Sequence, residues 1–159
     1  IAVIPAPDLK QKQAMIGYVA NTARALGVEK PKVAMITATE QMLPGMPACV
    51  EAAMLAKMSD RGQIAGCVVD GPLALDVALC KEAAEIKKLK SEVAGDADCC
   101  VFPSIEAANV FYKFAGHFCP GVKMAAMVAG AKAPCVLSSR ADSTETKLNS
   151  IALAALTAK

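Results

Sequence analysis

Short apolar runs alternate with segments of helix length along most of the chain, and this alternation limits the possible folds more than any other feature. Three runs have the length and composition of buried strands: 32–37, 65–69 and 98–102. Helices are predicted over the longer segments, at about 8–26, 48–61, 73–90 and 105–116. Strands separated by helices favour a mostly parallel sheet with helices on both faces. The sequence therefore predicts a three-layer α/β fold.

Two stretches carry the signature of a helix start. Asp8 and Gln11 stand three positions apart, the spacing at which a capping side chain and a first-turn side chain satisfy each other's backbone donors. Asp142 and Glu145 repeat that spacing. A last helix is therefore predicted to begin at about Asp142.

Composition excludes several classes of protein. With 159 residues the chain has the size of one domain and can bury about two thirds of its unfolded surface. No apolar run approaches the ~18 residues of a membrane span, so we expect a soluble protein with no membrane partner. A net charge of +2 and 4% aromatic residues argue against a nucleic-acid partner. The first residues do not form a signal peptide, and the chain is expected to begin partway through a longer protein.

Seven cysteines and a single histidine limit the metal and redox chemistry of the chain. The cysteines form no C-x-x-C pair and have no histidine at metal-ligand spacing, so no metal site is predicted. Their odd number and scattered positions are typical of reduced, buried thiols. We therefore expect structural cysteines and a reducing, cytoplasmic location.

Polar or turn-forming motifs follow several of the predicted strands. Two further apolar runs, 123–129 and 134–138, precede the last helix. Three runs end in such motifs, at 70–72 (DGP), 103–106 (PSIE) and 138–140 (SSR). Ligands of parallel α/β sheets collect outside the carboxyl ends of the strands, so these motifs are predicted to mark a site.

Ser139 and Arg140 stand just before the predicted start of the last helix. A helix start offers unpaired N–H groups and a positive dipole end. An adjacent guanidinium adds a planar set of donors that matches phosphate oxygens. The sequence therefore predicts an anion site here, and specifically a phosphate site.

Four motifs in this order resemble the phosphate acetyl/butyryl transferase family, over nearly the whole chain. They are 70–76 (DGPLALD), 95–98 (GDAD), 103–113 (PSIEAANVFYK) and 139–154 (SRADSTETKLNSIALA). The sequences of 59–76 and 139–143 are more similar to the butyryl branch of the family than to the acetyl branch. The resemblance implies the reversible reaction of acyl-CoA with phosphate to give acyl phosphate and CoA, with a short, butyryl-like acyl group. CoA and phosphate are then substrates, and no cofactor is implied.

The same resemblance implies an architecture. The family has two α/β lobes with the active cleft between them, similar to the isocitrate and isopropylmalate dehydrogenases, and is usually a homodimer. Compared with that pattern, residues 1–132 are expected to form the second lobe. Residues 133–159 are expected to form a return strand and C-terminal helix that pack on the first lobe. Most of the first lobe, with its basic residues for the CoA phosphates, has no counterpart here.

The resemblance also assigns roles at the predicted site. Ser139 matches the serine that orients the CoA thiol, and Arg140 matches the arginine that holds phosphate and the developing charge. Lys132 falls where the acetyl branch carries an arginine and is a candidate second cation. The acetyl branch has a proposed basic aspartate where this chain has Thr146. Asp142 or Glu145 could replace that aspartate as the thiol base. Alternatively, each is only a helix cap.

The remaining candidates for substrate contacts carry simpler alternatives. Asn109, Tyr112 and Lys113 belong to the family motif, although a helix-face lysine is ordinarily solvated. Asp70 and Asp76 flank a Gly-Pro turn and either contact substrate or stabilise the turn. A non-catalytic lobe that binds acyl-CoA or mediates assembly is the alternative function, because the first-turn aspartate is missing.

Overall fold

The computed structural model describes residues 3–158, and the chain divides into two compact units with the boundary after Ala108. The first unit contains three strands, β1 (Lys32–Ile36), β2 (Val68–Leu73) and β3 (Cys99–Val101). Its helices are α1 (Leu9–Ala25), α2 (Pro47–Asp60), α3 (Leu75–Leu79) and α4 (Lys81–Ile86). Helix α5 (Ile105–Phe118) begins before the boundary and ends after it.

The three strands of the first unit form one parallel sheet in the order β2-β1-β3. Alternate residues of the central strand point to opposite faces. Val33 and Met35 pack with residues of α1 and α2 in one core cluster. Ala34 and Ile36 pack with residues of α3 and α4 in the other. The predicted α/β class, with a parallel sheet covered on both faces, is confirmed for this unit.

Helix α1 begins where its sequence signature placed it. The Asp8 side chain accepts from the backbone N–H of Gln11 at 2.7 Å, and the Gln11 side chain accepts from the Asp8 N–H at 2.9 Å. Both halves of the capping box are therefore present. The helix stops before Gly27, whose φ of +96° favours glycine.

Strand β2 lies further along the chain than predicted. The expected strand, 65–69, begins too early, and the predicted turn at 70–72 lies inside β2. The pairing with β1 shifts register opposite this segment. Gly71 makes the close approach possible, because a Cβ there would stand 2.7 Å from the Met35 Cβ and 3.1 Å from the Ala52 Cβ.

The long helical stretch predicted at 73–90 is interrupted. Cys80 adopts an extended backbone, with φ −117° and ψ 114°, and separates α3 from α4. Helix α4 ends at Ile86, short of the predicted position, and Lys88 has a positive φ of 54°. This bend brings Leu89 against the core cluster on that face of the sheet. Burial of Leu89 thus overrides the helical preference of the lysine-rich segment.

The second unit pairs its strands with each other. Strands β4 (Met127–Val128) and β5 (Cys135–Val136) form an antiparallel pair, and α6 (Thr144–Thr157) follows. Only residues 129–134 separate the strands, which is too short for a parallel crossover. The prediction that the strand before 138–140 belongs to the parallel sheet is therefore wrong, because β5 pairs with β4 in a separate antiparallel pair.

All seven cysteines are free thiols. Cys49 is buried and four others are half-buried, but Cys80 and Cys135 are exposed. The prediction of buried thiols fails at these two positions, because Cys80 lies in the break between two helices and Cys135 on the exposed strand β5. Within residues 3–158, no helix is long and apolar enough to cross a membrane.

Candidate functional site

A cleft of about 220 Å³ opens in the second unit between α5 and the entrance to α6. It combines an aromatic and thioether wall with titratable groups of both signs. The residues that line it are Tyr112, Lys113, Gly116, His117, Met124, Ala141, Asp142, Ser143 and Thr146. The cleft is large enough for a small anion together with a short apolar group.

Helix α5 supplies one side of the cleft through its periodicity. Tyr112 and Gly116 stand four residues apart, as do Lys113 and His117, so all four share one face of the helix. The Lys113 ammonium lies 5.6 Å from the centroid of the Tyr112 ring. Lys113 is half-buried, so it is not the fully solvated helix-face lysine of the simpler interpretation.

The Tyr112 hydroxyl is buried and has no hydrogen-bond partner among the described residues. Burial raises the pKa of Tyr112, and the negative charge of Asp142 raises it further. The phenol therefore stays protonated at neutral pH. The Tyr112 hydroxyl therefore provides an unused hydrogen-bond donor in the cleft wall, which Asp142 also lines.

Ser143, and not Asp142, caps α6. The Ser143 hydroxyl accepts from the backbone N–H of Thr146 at 3.1 Å and lies 3.0 Å from the Thr146 hydroxyl. The predicted capping box of Asp142 with Glu145 is therefore wrong. Asp142 is committed instead to the preceding turn, and the Glu145 carboxylate forms an ion pair with Lys123 at 2.9 Å.

A tight turn presents Ser139 and Arg140 immediately before α6. The backbone N–H of Ser139 donates to Asp142 Oδ2 at 2.6 Å, and the Asp142 N–H donates to the Ser139 carbonyl at 3.1 Å. Ser139 is half-buried, whereas Arg140 is exposed. Within residues 3–158 the Arg140 guanidinium makes no ion pair. Its charge thus remains available for an anionic ligand.

Ser139, Arg140 and Glu145 flank the cleft residues in sequence but do not line the cleft, and two other candidates in the second unit do not line it either. Lys132 is exposed in the loop between β4 and β5. Asn109 is exposed near the start of the second unit's part of α5. Of the residues singled out from the sequence, the cleft brings together Tyr112, Lys113, Asp142 and Thr146.

Asp70 and Asp76 belong to the first unit, where contacts within that unit engage both carboxylates. Asp70 Oδ1 accepts from the backbone N–H of Gly71 at 2.8 Å, a local contact within β2 and not within the predicted turn. The backbone N–H of Val77 and the Lys87 ammonium hold the pKa of Asp76 below its usual value. These contacts account for both residues without a substrate.

Lys87 connects two segments of the first unit. Its ammonium lies 3.0 Å from Glu40 Oε1 and 3.4 Å from Asp76 Oδ2. The Glu40 carboxylate also accepts from the backbone N–H of Ala74 at 3.3 Å. The hydrogen bond with Glu40 raises the pKa of Lys87, despite an opposing effect of desolvation, and Asp76 adds to the rise.

Several lining residues were not predicted to belong to the site, including Gly116, His117 and Met124. His117 lies in the last turn of α5, as its sequence position suggests, and it also faces the cleft. Helical spacing could have identified Gly116 and His117, because each lies four residues after Tyr112 or Lys113 and therefore on the same helix face. Met124 had no such signal, because its place in the wall depends on tertiary packing against Gly116.

Comparisons with known proteins agree on one family. A family model described as "Phosphate acetyl/butaryl transferase" matches residues 1–155. The chain is 55% identical over 152 residues to phosphate butyryltransferase of Clostridium acetobutylicum, covering 96% of this chain and 50% of that protein. It is 51% identical to phosphate acetyltransferase of Thermotoga maritima, covering 94% and 51% of the two chains. The chain thus spans about half the length of the curated relatives it matches.

Solved structures give the same result. The fold is similar to that of a branched-chain phosphotransacylase from Enterococcus faecalis, with a TM-score of 0.87 and 33% identity. That match covers 98% of this chain and 55% of the other. The EutD phosphotransacetylase from Staphylococcus aureus is similar with a TM-score of 0.80 and 25% identity, covering 99% and 48% of the two chains.

Proposed function

Because the chain belongs to the phosphate acetyl/butyryl transferase family, we propose that its full-length protein transfers a short acyl group between CoA and phosphate. The family match over residues 1–155 carries this proposal and agrees with the resemblance found in the sequence motifs. A butyryl-like group is proposed from the similarity of residues 59–76 and 139–143 to the butyryl branch, and a phosphate butyryltransferase at 55% identity is consistent with it.

The reaction requires charge stabilisation at two places. In the direction of acyl phosphate formation, a phosphate oxygen attacks the thioester carbonyl and forms a tetrahedral oxyanion. Collapse of that oxyanion breaks the C–S bond, and the CoA thiolate leaves and takes up a proton. Arg140 is proposed to hold the phosphate and the developing negative charge, since its guanidinium makes no ion pair within the described residues.

Ser139 is proposed to donate its hydroxyl proton to the CoA sulfur. A thiol has an ordinary pKa of about 8.5 and is a few per cent ionised near neutral pH. A hydroxyl donor and a nearby guanidinium both favour the thiolate, so they lower the need for a strong dedicated base. Lys113 lines the same cleft as Asp142, whereas Lys132 does not, so Lys113 is proposed as the second cation.

Neither acid at the start of α6 is well arranged to act as that base. Glu145 is exposed and paired with Lys123. Asp142 accepts a backbone hydrogen bond through Oδ2. Thr146, at the position of the acetyl branch's proposed aspartate, lines the cleft with a hydroxyl that contacts Ser143. These contacts favour structural roles for both acids.

The remaining architecture follows from the family. We propose that residues 1–132 form a second lobe, and that residues 133–159 return to a first lobe of the isocitrate dehydrogenase-like type. Apolar side chains that need a cover support this, since α5 and α6 each expose a set of them. These are Val110, Phe114 and Phe118 on α5, with Leu148, Ile151 and Leu156 on α6. A homodimer would cover part of this surface, and the free thiols favour the cytoplasm.

The test is phosphate-dependent release of free CoA thiol by the full-length protein. Acetyl-CoA, butyryl-CoA and isobutyryl-CoA are compared at equal concentration, with arsenate-free buffer and a no-phosphate control. We expect release that requires phosphate and is fastest with a four-carbon acyl group. Tight binding of acyl-CoA without any phosphate-dependent release would instead support the non-catalytic lobe and contradict the proposed function.

A further inference from the structure

We propose that Asp142 is a positioning residue, which fixes Ser139 for its contact with the CoA sulfur, and that it is not the thiol base. This inference rests on the proposed function for its chemistry. Its structural part rests on the contacts of the turn that joins Ser139 to Asp142.

One residue satisfies both backbone groups of Ser139. The Ser139 N–H donates to Asp142 Oδ2 at 2.6 Å, and its carbonyl accepts from the Asp142 N–H at 3.1 Å. The first bond is short and charge-assisted, so it is stronger than a bond between neutral groups. Together the two bonds fix the backbone at Ser139 and hence the direction of its Cα–Cβ bond, from which the hydroxyl projects.

The hydroxyl proton of Ser139 is not used by the contact that its oxygen makes. Its oxygen accepts from the backbone N–H of Ala141 at 3.4 Å. Because that contact uses a lone pair and not the hydroxyl proton, the proton is free to be donated to sulfur. Asp142 therefore orients the donor, Ala141 contributes to its rotamer, and neither consumes the proton.

A base at Asp142 would work against this arrangement. Proton transfer to its carboxylate would remove the charge from the bond that holds Ser139, at the step in which Ser139 must stay in place. The carboxylate is half-buried and shares the cleft wall with Tyr112. In that enclosed setting a protonated carboxyl would hold the Ser139 N–H by a weaker, neutral hydrogen bond than the carboxylate does.

Two variants of the full-length protein separate the roles. In Asp142→Asn the amide oxygen still accepts from the Ser139 N–H, so we expect kcat to stay within ~10-fold of wild type, with an unchanged pH profile. In Asp142→Ala the bond is lost, and we expect kcat to fall by ~100-fold with KM changed less than ~3-fold. Equal, large losses in both variants would overturn the inference, as would loss of the acidic limb of the Asn variant's pH profile when acyl phosphate and CoA are the substrates.

A second measurement does not depend on activity. Hydrogen exchange at the Ser139 amide should be at least ~10-fold faster in Asp142→Ala than in wild type, and nearly unchanged in Asp142→Asn. Unchanged exchange in the Ala variant would overturn the positioning role, even if the full-length protein showed no transferase activity. If the Ala variant does not fold, the kcat and pH profile of the Asn variant decide the question.

The matched control is Asp98→Ala. Asp98 also accepts a backbone hydrogen bond through its carboxylate, from the Lys32 N–H at 2.8 Å, but it lies in the first unit. Removal of this bond should leave kcat and Ser139 exchange at wild-type values. A ~100-fold loss of kcat in this control would show that the effect of Asp142→Ala is a general consequence of lost stability.

Discussion

Lys12 on α1 and Glu51 on α2 form an enclosed ion pair, with side-chain exposures of 7% and 28%. Removal of one partner from a buried pair leaves the other charge without compensation and costs about 3–5 kcal/mol when both are fully buried. Because Glu51 is partly exposed, Glu51→Ala should lower the free energy of unfolding by about 2 kcal/mol. Urea unfolding measures this change.

An exposed pair provides the comparison for that variant. Lys57 Nζ and Asp60 Oδ2 lie 3.0 Å apart, and the two side chains are 63% and 62% exposed. Asp60→Ala should change the free energy of unfolding by less than about 0.5 kcal/mol. Equal effects of the two substitutions would contradict a special contribution from the enclosed pair.

Gly71→Ala should destabilise the first unit. The new Cβ would meet the Met35 Cβ at 2.7 Å and the Ala52 Cβ at 3.1 Å, so the sheet and α2 would have to separate. Overpacking of this kind costs about 1–3 kcal/mol. The matched variant Gly17→Ala, on α1 with no atom within 4 Å of its added Cβ, should stabilise by up to about 1 kcal/mol. Thermal unfolding distinguishes the two signs.

Arg140→Ala in the full-length protein should lower the rate of acyl transfer by at least ~100-fold, as expected for loss of a donor to developing charge. Arg140→Lys keeps the charge but not the planar donor set, so its rate should be intermediate. The exposed Arg61 at the end of α2 provides a control, and Arg61→Ala should retain wild-type turnover. Near-normal turnover of Arg140→Ala would remove this residue from the mechanism.

The thiols should differ widely in reactivity. Burial raises the pKa of Cys99 and of Cys100 to about 11. Since the thiolate is the reactive form, roughly one part in a thousand of each is reactive at pH 8. Cys80 and Cys135 are exposed and should be alkylated first. Mass spectrometry of peptides after brief iodoacetamide treatment gives the order, and labelling of Cys99 and Cys100 should rise as the pH is raised from about 7 to about 9.

Local signals predicted the first unit well, because each was decided by neighbours in sequence. The Asp8 and Gln11 spacing placed the start of α1, and the apolar run at 32–37 placed β1. The β2 boundary was missed because its Asp-Gly-Pro segment has the composition of a turn. Close packing of Gly71 against Met35 keeps that segment in the sheet, and such a contact is invisible in one sequence.

The start of α6 shows the same limit at the candidate site. Asp142 with Glu145 and Ser143 with Thr146 are overlapping pairs with the same spacing. Which residue caps the helix is decided by the Asp142 carboxylate, which is bound to the Ser139 N–H. The presence of Ser139 and Arg140 before the helix was predictable, whereas their support from Asp142 depended on the fold of the turn.

Lys87, which contacts both Glu40 and Asp76, affects how the protein would respond to amine-directed reagents. An amine must lose its proton before it attacks an activated ester, and Lys87 is held as an ammonium by Glu40 and Asp76. The exposed Lys88 and Lys90 beside it have no such pair of carboxylates among the ion pairs of the described residues. The extent of ester modification at Lys87, relative to Lys88 and Lys90, therefore reports whether Lys87 still holds the segment after β1 against the start of α3.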